Sequence, residues 1–185
     1  MPTFPVHTID SAPASSKALL DNTQKNFGFV PNLIAVMASS PAITEAYLSV
    51  AEIFTRSSLN PTEQQVVLLT VSYYHECTYC MAAHTAIAGM QNVDPAVVQA
   101  IRDNKPLSDT KLQALRQFTW LLIENRGWMD DTDMQDFLDA GYTEASMLDV
   151  MVGVAQKTLS NFTNHMAKTP LDDAFTEVAW TATRR

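Results

Sequence analysis

The sequence predicts an all-α protein, a compact bundle of many helices. Three observations carry this. Only five of 185 residues are glycine, and Gly28, Gly89, Gly127 and Gly141 fall where helices would stop. Of nine prolines, Pro31, Pro41, Pro61, Pro95, Pro106 and Pro170 fall at helix starts or in loops. Period-2 alternation is scarce, and no hairpin signal stands out.

In order, the pattern predicts helices over 13–26, 31–39, 41–57, 61–75, 77–90, 94–103, 108–126, 130–139, 143–168 and 171–180. The first is a leading helix or arm. It ends in Asn26-Phe27-Gly28-Phe29-Val30-Pro31-Asn32, a stop followed by a new start. The fourth opens on Asn60-Pro61-Thr62-Glu63, in which Asn60 caps, Pro61 suits the first helical position and Glu63 completes a capping box. That opening decides the run Val66 to Val71. Its β-branched residues imitate a strand, yet it lies within a longer capped segment and is assigned to helix. Asp130-Asp131-Thr132-Asp133 supplies a cap and dipole-favoured carboxylates for the eighth helix. With no low-complexity linker, the expected organisation is one all-α domain over 1–185. An arm or helix occupies 1–30, a helical core 31–168 and a C-terminal segment 169–185. A faint repeat at a shift of 81 lays Thr62-Glu63 over Thr143-Glu144 and His84 over His165, as a duplicated helical unit would.

An apolar fraction of 46% is that of a globular chain. A net charge of −8 and a pI near 4.8 argue against a nucleic-acid surface and against an anionic membrane as partner. Residues 1–10 lack the basic and apolar regions of an export signal, and no apolar run has membrane-spanning length, so a cytoplasmic location is expected. In such a compartment a close cysteine pair points to catalysis, redox sensing or metal binding rather than a structural staple.

The pair is Cys77 and Cys80, the only cysteines present, within His75-Glu76-Cys77-Thr78-Tyr79-Cys80-Met81-Ala82-Ala83-His84. On a helix starting near Glu76, offsets of 0, 3 and 7 put both thiols and the His84 imidazole within roughly 60° of one another. A base, a nucleophile and a second thiol on one stripe suit thiol redox chemistry. Other readings stay open: His75, Cys77, Cys80 and His84 are four plausible zinc ligands, and the cysteines also pass as small buried hydrophobes. The helix dipole would acidify Cys77, whereas His84, one turn after Cys80, favours Cys80 as nucleophile.

Leu59-Asn60-Pro61-Thr62-Glu63-Gln64-Gln65-Val66-Val67-Leu68-Leu69-Thr70-Val71-Ser72, followed by Cys77-Thr78-Tyr79-Cys80 and His84, resembles the carboxymuconolactone decarboxylase superfamily. More closely it is similar to the alkylhydroperoxidase D-like, peroxidase-related branch. The resemblance is strongest over 59–90 and looser through 30–168. It implies the all-α fold of that type, with the CxxC at the start of a central helix, and reduction of hydroperoxides without a bound cofactor or metal. It implies that Cys80 attacks the peroxide, that Cys77 closes the disulfide, and that a dithiol or lipoyl-type reductant restores the pair. It implies a relay role for His84 and assembly as a homo-oligomer. Two relay positions depart from the family pattern. Gln65 stands twelve residues before Cys77 where the family has glutamate, and Tyr79 stands where the best-studied relay has histidine. An amide cannot carry the proton, so Glu76 is the candidate substitute, with Glu63 behind it. Phe175, Val178 and Trp180 in the C-terminal segment are expected to contribute to the subunit interface.

Overall fold

The computed structural model describes residues 3–182; residues 1–2, at the start of the expected arm, and 183–185, at the end of the C-terminal segment, lie outside the described residues. Among the described residues there is no strand, and nine α-helices follow one another. They are α1 (Ala14–Phe27), α2 (Asn32–Met37), α3 (Pro41–Thr55), α4 (Pro61–Tyr74), α5 (Thr78–Met90), α6 (Pro95–Arg102), α7 (Thr110–Glu124), α8 (Asp131–Asp139) and α9 (Glu144–Ala167). A 3₁₀ helix, Asp173–Val178, occupies the place of the tenth expected α-helix.

The bundle is organised about α4. Every residue from Glu63 to Tyr73 is buried, because α5, α6, α7 and α9 all pack against this one helix. A helix enclosed on all sides has no need of a polar face, which is why 66–71 runs apolar and mimics a strand. Its N-terminus is closed by the expected capping box. The Asn60 side chain accepts from the Glu63 amide at 3.0 Å, and the Glu63 carboxylate accepts from the Asn60 amide at 2.8 Å. Glu63 also pairs with Lys111 at 3.6 Å, so its carboxylate is committed to the helix start.

The long helix α9 lies against α3 and α4. Gly153 makes this approach possible: a Cβ there would meet Phe54 Cζ and Val67 Cγ1 at 2.8 Å each. α9 is one unbroken helix across the positions that overlay the α4–α5 turn, and His165 is exposed where His84 is buried. The faint repeat is therefore not a duplicated helix pair.

The C-terminal segment folds back over the chain itself. Phe175 is buried edge-on against Phe29 and Tyr79. Trp180 packs 5.6 Å from Tyr73, and its indole N–H donates to the Arg102 carbonyl at 3.1 Å. The buried Asp172 carboxylate accepts from the Asn32 amide at 3.0 Å, capping the first turn of α2 from a distant part of the chain. Apolar side chains of this segment are thus consumed within the chain.

Gly153→Ala forces Phe54 and Val67 apart. Overpacking of this kind costs about 1–3 kcal/mol. Urea unfolding should show that loss with an unchanged m-value, and a midpoint equal to the wild type's would refute the close-approach role.

Candidate active site

The site is made by the turn between α4 and α5. His75 ends α4, Glu76 takes the left-handed conformation at φ 56°, and the Glu76 and Cys77 amides bond back to the Tyr73 and Ser72 carbonyls at 3.0 and 2.9 Å. This double closure is a Schellman motif, which ordinarily places glycine at the left-handed position. Cys77 follows at the N-cap of α5, with extended backbone, and Thr78 is the first helical residue. The expected helix from Glu76 is corrected by this turn: Cys77 lies ahead of the helix, not on its first turn. Glu76 owes its position to the backbone reversal.

Cys77 and Cys80 are both free thiols, 1% and 2% exposed. The Asn164 side-chain amide donates to both sulfurs, at 3.7 Å to Cys77 and 3.2 Å to Cys80. The two thiols also share a hydrogen bond that sets them in opposite directions. Donation to Cys80, together with burial, raises the Cys77 thiol well above its ordinary range. Burial pushes Cys80 up as well, but the Cys77 hydrogen bond, the charge of Lys157 and the Ser160 hydroxyl outweigh it and bring Cys80 down to about 5. The N-cap position would have favoured Cys77 through the helix dipole, and these nearer groups reverse that order.

His84, 6% exposed, faces Gln65 rather than a carboxylate, with Nδ1 to Oε1 at 3.1 Å. Gln65 Nε2 donates to Gln91 Oε1 at 3.0 Å, which turns Oε1 toward the ring. His84 Nδ1 therefore carries the proton and Nε2 holds the lone pair, an assignment that follows from the network. Burial and the Lys157 charge keep the imidazole neutral, well below its ordinary range. Gln65 thus orients His84 as a glutamate would, without being able to receive its proton.

His75 turns away from the thiols. Its Nδ1 accepts from the Asn161 amide at 3.2 Å, and its ring lies tilted against Phe162, centroids 5.2 Å apart. Among the described residues no three His, Cys, Asp or Glu side chains gather as a metal site, so the alternative ligand set of His75, Cys77, Cys80 and His84 is not assembled. The Tyr79 hydroxyl donates to Asp172, so it ties α5 to the C-terminal segment instead of serving the thiols.

Sequence reasoning did not connect α9 to the thiols. Lys157, Ser160, Asn161 and Asn164 form a buried polar stripe at i, i+3, i+4 and i+7. The signal was present as a polar face on a helix whose opposite side, with Leu148, Met151, Phe162 and Met166, is apolar and exposed. Beside His75 a groove of about 490 Å³ opens between Tyr74, Leu122, Met151, Val154 and Phe162. No helix among the described residues is long and apolar enough to cross a membrane.

The site is thus a CxxC pair buried at a helix start within an all-helical fold. The chain belongs to the carboxymuconolactone decarboxylase family, whose model matches residues 32–126. No curated protein matches it. Among solved structures it is similar to the alkylhydroperoxidase AhpD core of an uncharacterized peroxidase-related protein from Ralstonia eutropha JMP134, at 21% identity, 95% coverage of each chain and a TM-score of 0.83. A peroxidase-related protein from Silicibacter sp. TM1040 follows at 17% identity, 94% coverage of each chain and TM-score 0.78. The debrominase Bmp8, as a cysteine-to-alanine variant in complex with 2,3,4-tribromopyrrole, matches at 18% identity, with 94% of this chain and 93% of that one covered and TM-score 0.73. At these identities the likeness is one of fold.

The half-buried His75 has its pKa lowered from 6.5 to about 4, first by burial and then by the charges of His165 and Lys157. The folded state holds it neutral, so below pH 6.5 the unfolded chain binds the extra proton. Stability from this group is complete above 6.5 and falls as pH drops toward about 4. Melting temperatures of His75→Gln should fall less across that window than those of the wild type; parallel curves would remove His75 from the acid response.

Proposed function

We propose that this protein is a thiol oxidoreductase that reduces hydroperoxides through the Cys77–Cys80 pair. The observation that carries the reading is a pair of buried free thiols, three residues apart at one helix start, that share the Asn164 amide, with the Lys157 charge and the Ser160 hydroxyl favouring the thiolate at Cys80. A nucleophile needs the thiolate, and a resolving thiol needs its proton until the first step is over. The Cys80 thiolate attacks the hydroperoxide, the O–O bond breaks, and the alkoxide leaves as alcohol after protonation. Cys80 is then a sulfenic acid. Cys77 displaces its hydroxyl, giving the disulfide and one water. An external dithiol, of protein or lipoyl type, returns both electrons and both protons. His84 Nε2 supplies a basic lone pair one turn from Cys80. No bound cofactor enters the scheme.

A second reading has its own observation, the fold shared with the debrominase and an aromatic-walled groove beside His75 that suits a flat apolar ring. The same two electrons would convert a bromoarene into the arene and bromide, again leaving the Cys77–Cys80 disulfide. Incubation with dithiol and either an alkyl hydroperoxide or 2,3,4-tribromopyrrole separates the two.

Cys80→Ser should abolish peroxide consumption. Cys77→Ser should still oxidise at Cys80, trapped as sulfenic or higher acid and read by intact mass. The reverse outcome exchanges the roles. A disulfide that forms and is reduced with neither substrate consumed leaves a thiol–disulfide exchanger or redox sensor.

We also propose that the protein works as a homo-oligomer. The support lies in the exposed apolar stripe of α9, with Leu148, Met151, Phe162 and Met166 between 49% and 66% exposed. Light scattering should give a particle larger than the 20.5 kDa chain; a monomer at micromolar concentration defeats the proposal.

A further inference from the structure

Lys157 is a charged group at the site that neither the CxxC pattern nor the His84 relay uses. It is fully buried, at 0% exposure, and among the described residues its Nζ meets no oxygen or nitrogen acceptor. Taking an ammonium out of water is costly, and a buried charge persists where an opposite charge answers it. Three carbonyl oxygens on the same helix, Gln156 Oε1, Asn161 Oδ1 and Asn164 Oδ1, are buried and likewise unpartnered. Lys157 lies two turns before Asn164, whose amide touches both sulfurs, on the stripe that also carries Ser160 and Asn161.

We propose that Lys157 is a positioning residue of this site: its buried ammonium is the counter-charge that holds Cys80 as the thiolate, in a chain where Gln65 has replaced the relay carboxylate. The inference rests on the redox reading of the Cys77–Cys80 pair but not on which substrate the pair reduces.

The groups that face the stripe agree with this. Tyr47 comes from α3, His75 from the end of α4, Cys77 from the turn, and Cys80 and His84 from α5. α2, which packs on α9, carries the buried apolar side chains Leu33 to Met37. Beyond the effect of burial, the charge of Lys157 is felt at Cys80, His84 and His75 alike, which places it centrally among them. It favours the ionised form of the one acid that must be an anion, and the neutral form of both imidazoles. A carboxylate at position 65 would act in the opposite sense on Cys80 and on His84. Charge on α9 and amide on α4 are therefore a matched exchange. The Cys80 proton is removed before substrate arrives rather than relayed during attack.

Lys157→Met removes the charge and keeps most of the volume. In the full chain without peroxide, the ultraviolet absorbance of the thiolate is followed against pH, with alkylation and peptide mass assigning it to Cys80. The expected result is an upward move of the Cys80 profile by roughly one to three pH units, the span an adjacent opposite charge produces. Lys157→Arg should bring the profile back toward the wild type, which a role in packing alone would not do. A folded Lys157→Met with an unmoved profile overturns the proposal. So does an equal displacement by Met and Arg. Should Lys157→Met not fold, ¹³C NMR of lysine-labelled wild type decides. The Lys157 Cε resonance should move when the Cys77–Cys80 disulfide forms, and a stationary resonance overturns the proposal. Because thiolate is read without substrate, a protein that consumes no peroxide yet shows the Lys157-dependent profile upholds this inference and defeats the peroxidase reading.

Discussion

The enclosure of α4 by four other helices is the constraint from which the rest of the structure follows. Residues Glu63 to Tyr73 are buried, and the helix ends at the half-buried His75. The chain must reverse there. It does so through the Schellman closure at Glu76, and the residue delivered to the start of α5 is Cys77. Both thiols are buried because the helix before them is buried. Their chemistry is then set by protein groups at short range in a medium of low dielectric, where one charge or hydrogen bond counts for far more than at the surface. The exposed pair Lys25–Asp21, with side chains 67% and 48% accessible, illustrates the contrast: such pairs contribute about 0–1 kcal/mol.

α9 inverts the usual arrangement of an amphipathic helix. Its polar stripe faces inward and its apolar stripe faces out. The inward polarity is explained by what it meets. Asn164 donates to two sulfurs, Asn161 donates to His75 and to the Val71 carbonyl at the end of α4, and Lys157 adds charge where the thiols lie. Gly153 lets these residues come close, since a side chain there would hold α9 away from Phe54 and Val67. A backbone choice one turn ahead of Lys157 therefore sets how near the site's polar groups stand to its nucleophile.

The C-terminal segment locks the other side of the same site. Asp172 accepts both the Tyr79 hydroxyl and the first amide of α2, and Arg102 donates to the Val178 and Ala179 carbonyls at 3.1 and 2.9 Å. Tyr79 lies between the two cysteines in sequence, so anchoring its hydroxyl restrains the α5 turn that carries them. The tyrosine hydroxyl is a mechanical tie.

The helices were legible because their signals are local. Every expected α-helix over 13–168 is present with its ends within two residues of the expected positions. Caps such as Asn60-Pro61-Thr62-Glu63 and stops such as Gly28, Gly127 and Gly141, all with positive φ, act over three or four residues. The CxxC pair and His84 were legible for the same reason: offsets of 3 and 7 belong to one helix. The left-handed turn at Glu76 was not legible, because its letter gives no sign of a positive φ and only the backbone angle shows it. Lys157, Asn161 and Asn164 were unreadable as site residues, since they meet the cysteines and His75 across separations of about 80 to 90 positions. No periodicity encodes such a meeting. It is decided when α9 packs on α4, by apolar burial and by the missing side chain of Gly153. The amino-acid sequence by itself determined where the helices begin and end and which two thiols share one turn. The tertiary structure alone decided which polar groups surround those thiols, because Lys157, Ser160 and Asn164 are brought to them from the far end of the chain.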